Sequence, residues 1–112
     1  LSWVLCPRSN DYIEGARPPI ETLRRAGVRI ALGTDSLSSN ETLSIVEELK
    51  MLRSVPLDEA LRWATLGGAE ALGIDSWAGS FVPGKRPGAV LLGGIDFRTT
   101  TLRDDTFSRR IL

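Results

Sequence analysis

Residues 28–36 read Val-Arg-Ile-Ala-Leu-Gly-Thr-Asp-Ser, an apolar run that stops at glycine and delivers a carboxylate immediately beyond it. Val28, Ile30, Ala31 and Leu32 predict a short strand, and Gly27 before them predicts the stop of a preceding helix. That helix is expected to open at Pro18-Pro19 and to run through Ile20, Glu21, Thr22 and Leu23 to Ala26. Further upstream, Trp3, Val4, Leu5 and Cys6 form a second continuous apolar run closed by Pro7, which suits a strand covered on both faces. Strand, helix and strand in this order predict a β-α-β unit with parallel strands and a right-handed crossover. Its connections are unequal. Gly27 alone returns the helix to the strand, whereas Pro7 to Arg17 and Gly33 to about Leu43 read as loops roughly twice the usual ~4 to 6 residues. Long loops at the C-terminal ends of parallel strands mark the edge at which (β/α)8 barrels and doubly wound sheets bind ligands.

Beyond this unit the pattern turns helical. Ile45, Leu49 and Leu52 share one helix face, and Ser44 with Glu47 reads as a capping box. Pro56 starts a second helix with Leu57, Ala60, Leu61 and Ala64 on its apolar face, and Thr65 is expected to cap a further short helix that Gly73 stops. From Ser76 the character changes. Gly79, Pro83-Gly84, Pro87-Gly88 and Gly93-Gly94 read as turns between short β-like runs at Ser80–Val82, Ala89–Leu92 and Thr100–Leu102.

The composition narrows the function classes. Lys+Arg and Asp+Glu are both 14, so there is no net charge to attract nucleic acid or an anionic membrane. Hydrophobic residues make up 42% of the 112, enough for a core, yet no apolar run approaches the ~20 residues of a membrane span. Cys6 is the one cysteine, which rules out an internal disulfide and fits a reducing compartment. No signal peptide is recognisable, so a cytoplasmic location is the expectation. There is no histidine, which removes the commonest metal ligand and the commonest neutral-pH acid or base.

Four blocks together are distinctive: Cys6-Pro7-Arg8-Ser9-Asn10; Gly33-Thr34-Asp35-Ser36 followed by Ser38-Ser39-Asn40; Ala64-Thr65-Leu66-Gly67-Gly68-Ala69-Glu70-Ala71-Leu72-Gly73; and Gly79-Ser80-Phe81-Val82-Pro83-Gly84-Lys85. In this order and spacing, over residues 1 to about 92, they resemble the amidohydrolase superfamily. The branch resembled is that of aminohydrolases and chlorohydrolases acting on cytosine, guanine, adenosine, S-adenosylhomocysteine or triazines. The resemblance implies an α/β fold: the last two β/α units of a metal-dependent (β/α)8 (TIM) barrel, then helices, then part of a small C-terminal β-sandwich. Trp3 to Cys6 would be the seventh barrel strand and Val28 to Leu32 the eighth. Residues 1–74 would belong to the barrel and residues 75–112 to the sandwich. One departure lies at Lys85-Arg86-Pro87-Gly88, where many relatives carry an Ala-Asp pair.

The resemblance further implies a parent enzyme that removes an amino group, or less often a chloride, from a heterocyclic carbon by metal-activated water. One divalent ion, zinc or iron, would be held by histidines after earlier strands and by an aspartate after the eighth, which is Asp35 here. The chain then resembles a C-terminal fragment, whose lack of histidine is what such a truncation would give, and it is expected to be inactive and metal-free alone. Its partners would be the N-terminal part of its own chain and a small heterocyclic substrate, in a homo-oligomeric parent.

Asp35 is accordingly the catalytic and metal-ligating candidate, against a plain reading as a turn residue. Ser9, Asn10, Ser36, Ser39 and Asn40 are candidates for bracing the Asp35 loop or meeting substrate. Arg8 and Arg17 read as solvated loop arginines. Glu47 reads as a cap and Glu48 as exposed helix face. Cys6 reads as strand filler, Trp63 as packing, and Trp77 and Phe81 as cover for the turn-rich segment. The surfaces of Trp3 and of Val28 to Leu32 are expected to lie uncovered in the chain alone. Two rivals stand beside this reading: a stand-alone small α/β interaction or ligand-binding module, in which Asp35 is a turn residue, and an amide-cleaving hydrolase of the same superfamily.

Overall fold

A computed structural model describes Leu1–Leu112 and contains the expected β-α-β unit. Strand β1 (Ser2–Leu5) pairs in parallel with β2 (Arg29–Leu32), in a register that sets Trp3 beside Ile30 and Leu5 beside Leu32. Helix α2 (Ile20–Arg25) makes the crossover, and Gly27 turns the chain back into β2 at a φ of 65° that glycine adopts freely.

The stretch from Pro7 is not the open loop expected. Pro7–Glu14 forms helix α1, with proline in its first turn and Gly15 closing it at a left-handed φ of 63°. Its polar sequence has little helical preference of its own. The helix stands because Pro7 and Ser9 are buried and because a side chain from far along the chain takes one of its first-turn N–H groups.

Helix α3 (Ile45–Lys50) begins at Ser44 without the expected capping box, since the Ser44 hydroxyl makes no capping bond and Glu47 instead accepts from Lys50 Nζ at 2.7 Å. Helix α4 (Leu57–Arg62) does follow Pro56. Thr65 caps nothing. The backbone continues from α4 through a π-helical turn (Trp63–Gly67) into α5 (Gly68–Leu72), and the Thr65 hydroxyl donates to the Leu61 carbonyl. Gly67 lies buried in that turn, where a Cβ would overlap the carbonyl oxygen of Ile30 on β2, so the helix approaches the sheet only because the side chain is missing.

Leu5, Ile30, Leu32, Leu49, Leu52, Val55, Ala60 and Trp63 form the core between sheet and helices. Trp63 is packing, as expected. The uncovered-surface expectation holds for one strand only. Trp3 and Val4 on β1 are about half exposed, but Ile30, Ala31 and Leu32 of β2 are buried beneath the π-turn and α5.

A second sheet is an antiparallel ribbon of β3 (Val90–Asp96) and β4 (Thr101–Arg110), both longer than the sequence pattern suggests. Gly93-Gly94 is not a turn but lies within β3. The pairing shifts between Gly93 and Ile95, Gly94 takes a φ of 77°, and the Phe107 ring occupies the space where a Gly93 Cβ would be. These are the marks of a β-bulge placed opposite an aromatic residue. Ser80–Val82 is irregular rather than β-like, hemmed by Gly79 and Gly84 at positive φ and without a partner strand. Trp77 and Phe81 stand exposed instead of covering that segment. The ribbon docks on the rest through Leu102, which joins the core beside Leu49 and Leu52.

Candidate functional site

Asp35 follows β2 by three residues and takes a φ of 58°, the left-handed region that aspartate tolerates better than most side chains. The turn brings its carboxylate against Ser9 in the first turn of α1. Asp35 Oδ2 accepts hydrogen bonds from Ser9 Oγ at 2.9 Å and from Ser39 Oγ at 3.0 Å, and the two hydroxyls lie 2.8 Å apart. Both serines are buried while Asp35 is exposed. One carboxylate oxygen is thus fixed by two buried hydroxyls, and Oδ1 has no bonding partner in the chain.

Asn40 completes the loop from the other side. Its Nδ2 donates to the carbonyl of Thr34 at 2.9 Å, and its Oδ1 accepts from Arg8 Nε at 3.1 Å and from the Thr42 backbone N–H. Asn40 Nδ2 also donates to Glu48 Oε1, while Glu48 Oε2 accepts the backbone N–H of Arg8 at 3.0 Å. Two expectations are corrected here. Glu48 is not on the exposed face of its helix but wholly buried, because its carboxylate is the partner of Arg8 and Asn40. Arg8 is not a freely solvated loop residue, since it sits on α1, bonds Asn40 and pairs with Glu41 at 3.5 Å. Arg17 is exposed and without such partners.

Of the loop residues singled out by sequence, Ser9, Ser39 and Asn40 gather around Asp35. Asn10, half-buried on α1, and Ser36, whose hydroxyl pairs with Ser38 at 2.6 Å, do not touch the Asp35 side chain. Glu48 was missed. Its one local signal is that it lies one position before the buried Leu49, and its partners are 8 and 40 residues away.

The network leaves no buried side-chain nitrogen or oxygen without a partner, so the loops are held rather than merely adjacent. Cys6, beside the network, is not an activated thiol. Partial burial raises its pKa above the ordinary thiol range, and the carboxylates of Asp35 and Glu48 push the same way. Within this chain Asp35 therefore offers one thing: a pre-oriented carboxylate with a free oxygen, suited to accepting a proton or bonding a cation. No group of three or more histidine, cysteine, aspartate or glutamate side chains is placed to enclose a metal ion.

Known proteins share this arrangement of sequence. A 5-methylthioadenosine/S-adenosylhomocysteine deaminase from Halobacterium salinarum is 42% identical over 86 residues, covering 67% of this chain and 20% of the relative. The enzyme of the same name from Pelotomaculum thermopropionicum is 38% identical over 104 residues, covering 83% of this chain and 23% of the relative. Among solved structures, an adenosine deaminase from Xanthomonas campestris with bound zinc superimposes with a TM-score of 0.70 at 35% identity, over 81% of this chain and 23% of that one. The guanine deaminase of E. coli does so with a TM-score of 0.68 at 29% identity, over 83% and 23%. The chain thus spans about a fifth to a quarter of the length of the relatives it matches. The model of the amidohydrolase family matches residues 1–111, essentially end to end, and the chain belongs to that family.

Proposed function

We propose that the chain is the C-terminal part of a metal-dependent deaminase, in which β1 and β2 are the last two strands of a (β/α)8 barrel and Asp35 is the proton-transferring carboxylate. Residues 1–74 then form the end of the barrel and residues 75–112 enter a small β-sandwich. The single observation that carries the reading is the state of Asp35: Oδ2 is held by Ser9 and Ser39, and Oδ1 is free at the C-terminal end of a parallel strand. The family, and relatives named as deaminases of adenosine-type compounds and of guanine, support release of amine rather than chloride.

The donor set fits a divalent ion in part. A carboxylate oxygen with no competing hydrogen bond is a suitable ligand for zinc, and a relative of solved structure binds zinc. The remaining ligands would come from the N-terminal part of the parent. The chemistry supplied by a bound ion of this kind is a water acidified toward a pKa of about 7. The Asp35 carboxylate would accept the proton of the attacking water and return it to the departing amine nitrogen, so that it serves as base and then as acid. Ser9 and Ser39 keep the carboxylate aimed during both transfers, and Asn40, bonded to the Thr34 carbonyl, holds the loop. Asn10 and Ser36, with no bond to Asp35, are left to meet substrate. The open edge of β1, with Trp3 and Val4 half exposed, is where the N-terminal part of the parent would continue the sheet.

The test is Asp35→Asn in the full-length, zinc-loaded parent, assayed for ammonia release from adenosine-type, guanine and S-adenosylhomocysteine-like substrates. The substitution keeps the shape and removes the proton acceptor, and kcat is expected to fall by about 10²- to 10⁴-fold. Unchanged turnover in the variant, or the absence of ammonia release from any such substrate by the native parent, would overturn the reading. The 112-residue chain alone is expected to show no turnover with added zinc.

A further inference from the structure

We infer that Glu48 is a positioning residue for Asp35, a single buried carboxylate that fastens both the first turn of α1 and the loop after β2, from which the Asp35 side chain is held. The inference rests on the proposed role of Asp35. Glu48 has no solvent exposure, although a carboxylate is costly to bury and a leucine or methionine would fill the same space without needing partners. Its neighbour Glu47 shows the ordinary arrangement, paired with Lys50 at the helix surface.

The partners of Glu48 explain why the charge is inside. Oε2 takes the backbone N–H of Arg8, and the next residue is Ser9, one of the two donors to Asp35. Oε1 takes Asn40 Nδ2, and the residue before Asn40 is Ser39, the other donor. Asn40 Nδ2 also holds the carbonyl of Thr34, the residue directly before Asp35. Every residue that Glu48 grips, directly or through Asn40, is therefore the chain neighbour of Ser9, Ser39 or Asp35 itself. Glu48 touches neither the Asp35 carboxylate nor any group exposed at the barrel end. It acts by fixing where three side chains meet.

The geometry also says which substitution breaks the grip. Glu48 receives hydrogen bonds at both oxygens. A glutamine in its place would have one acceptor and one donor, so its amide nitrogen would oppose either the Arg8 N–H or Asn40 Nδ2. If Asn40 rotated to relieve that opposition, Thr34 would lose its donor and Arg8 Nε its acceptor.

The experiment is Glu48→Gln in the full-length, metal-loaded parent, with kcat and KM expressed per bound metal, alongside a crystal structure of the variant. We expect kcat to fall by about 10- to 100-fold with KM unchanged, and the structure to show Asp35 Oδ2 parted from Ser9 or Ser39. Asn40→Ala should lose kcat similarly, and the double variant Glu48→Gln/Asn40→Ala should lose little more than either alone, because the two act as one unit. Leu52→Ala, buried in the core outside the network, should destabilise the protein while sparing kcat per folded molecule. Full kcat in Glu48→Gln, additive losses in the double variant, or an equal kcat loss in Leu52→Ala would overturn the inference. If Glu48→Gln does not fold, Asn40→Ala against Leu52→Ala decides by the same criterion. Asp35→Asn measured in parallel separates the two readings. An inactive Asp35→Asn beside a fully active Glu48→Gln removes the role of Glu48 alone, whereas an active Asp35→Asn removes the function on which it rests.

Discussion

In residues 1–74 the buried side chains include Ser9, Ser39, Asn40 and Glu48 beside a leucine-rich core, whereas beyond Ile74 only Leu102 and Thr106 are buried. The first region takes polar groups inside and satisfies each of them. The second leaves Trp77, Phe81, Val90, Phe97 and Phe107 in solvent and contacts the rest through Leu102 and Ile95, through Gly79 against Leu66 and Ala69, and through the bonds of Lys50 and Arg53 to Asp104. The contrast teaches that the first region buries an apolar core together with the polar cluster around Asp35, whereas the ribbon adds Leu102 to that core.

The contrast can be broken at several points. The largest effect is expected from Leu52→Ala, since Leu52 is 1% exposed and lies where the two regions meet. It should cost about 2–5 kcal/mol in urea unfolding. Leu91→Ala on the ribbon, where the side chain is 42% exposed, should change stability by no more than about 0.5 kcal/mol. Equal losses would show that the ribbon is as tightly integrated as the helices. Next comes Gly67→Ala. The added methyl meets the Ile30 carbonyl, a backbone group that cannot swing aside, and a cost of about 1–3 kcal/mol is expected by thermal melting.

Smaller still, and of opposite sign, is Thr100→Gly at the ribbon turn. Thr100 holds a φ of 53°, unfavourable for a β-branched residue, so glycine should stabilise by about 1 kcal/mol. A destabilised variant would mean that the turn is braced by the Thr100 side chain. The smallest effect concerns pH. Arg53 hydrogen-bonds Asp104 and holds its carboxyl below the ordinary value. A carboxyl depressed in the folded state contributes stability above its unfolded pKa of about 3.9, and that contribution is lost as pH falls through the folded value. Because the pair is exposed, Arg53→Ala should return the Asp104 titration upward, read by NMR, with scarcely any change in unfolding at neutral pH.

How much of this was legible in the sequence depends on the range of the forces involved. The β-α-β unit was legible because strand length, the Pro18-Pro19 opening and Gly27 are local signals, and Asp35 stood out because it ends an apolar strand. Helix α1 was not, because the acceptor for its Arg8 N–H is Glu48, 40 residues away. Glu48 itself reads as helix surface, since spacing along a helix reports neighbours three and four residues off and nothing of a loop folded over it. The bulge at Gly93-Gly94 was hidden for the same reason. A glycine pair reads as a turn until Phe107 is known to lie across from it. The pairing of Ser9 with Ser39 on one oxygen of Asp35 is likewise a matter of where helix α1 meets the loop after β2, which no spacing rule encodes.

The left-handed backbone at Asp35 sorts replacements by shape before chemistry enters. Asparagine shares the aspartate outline and its tolerance of positive φ, so an Asp35→Asn protein should keep the loop intact and lose only the charge. Valine or isoleucine at the same position would first have to strain the main chain, so a defect there would report the turn rather than the carboxylate. A saturation library at position 35 should therefore sort by stability, with asparagine and glycine tolerated and the β-branched residues destabilised by about 1–2 kcal/mol.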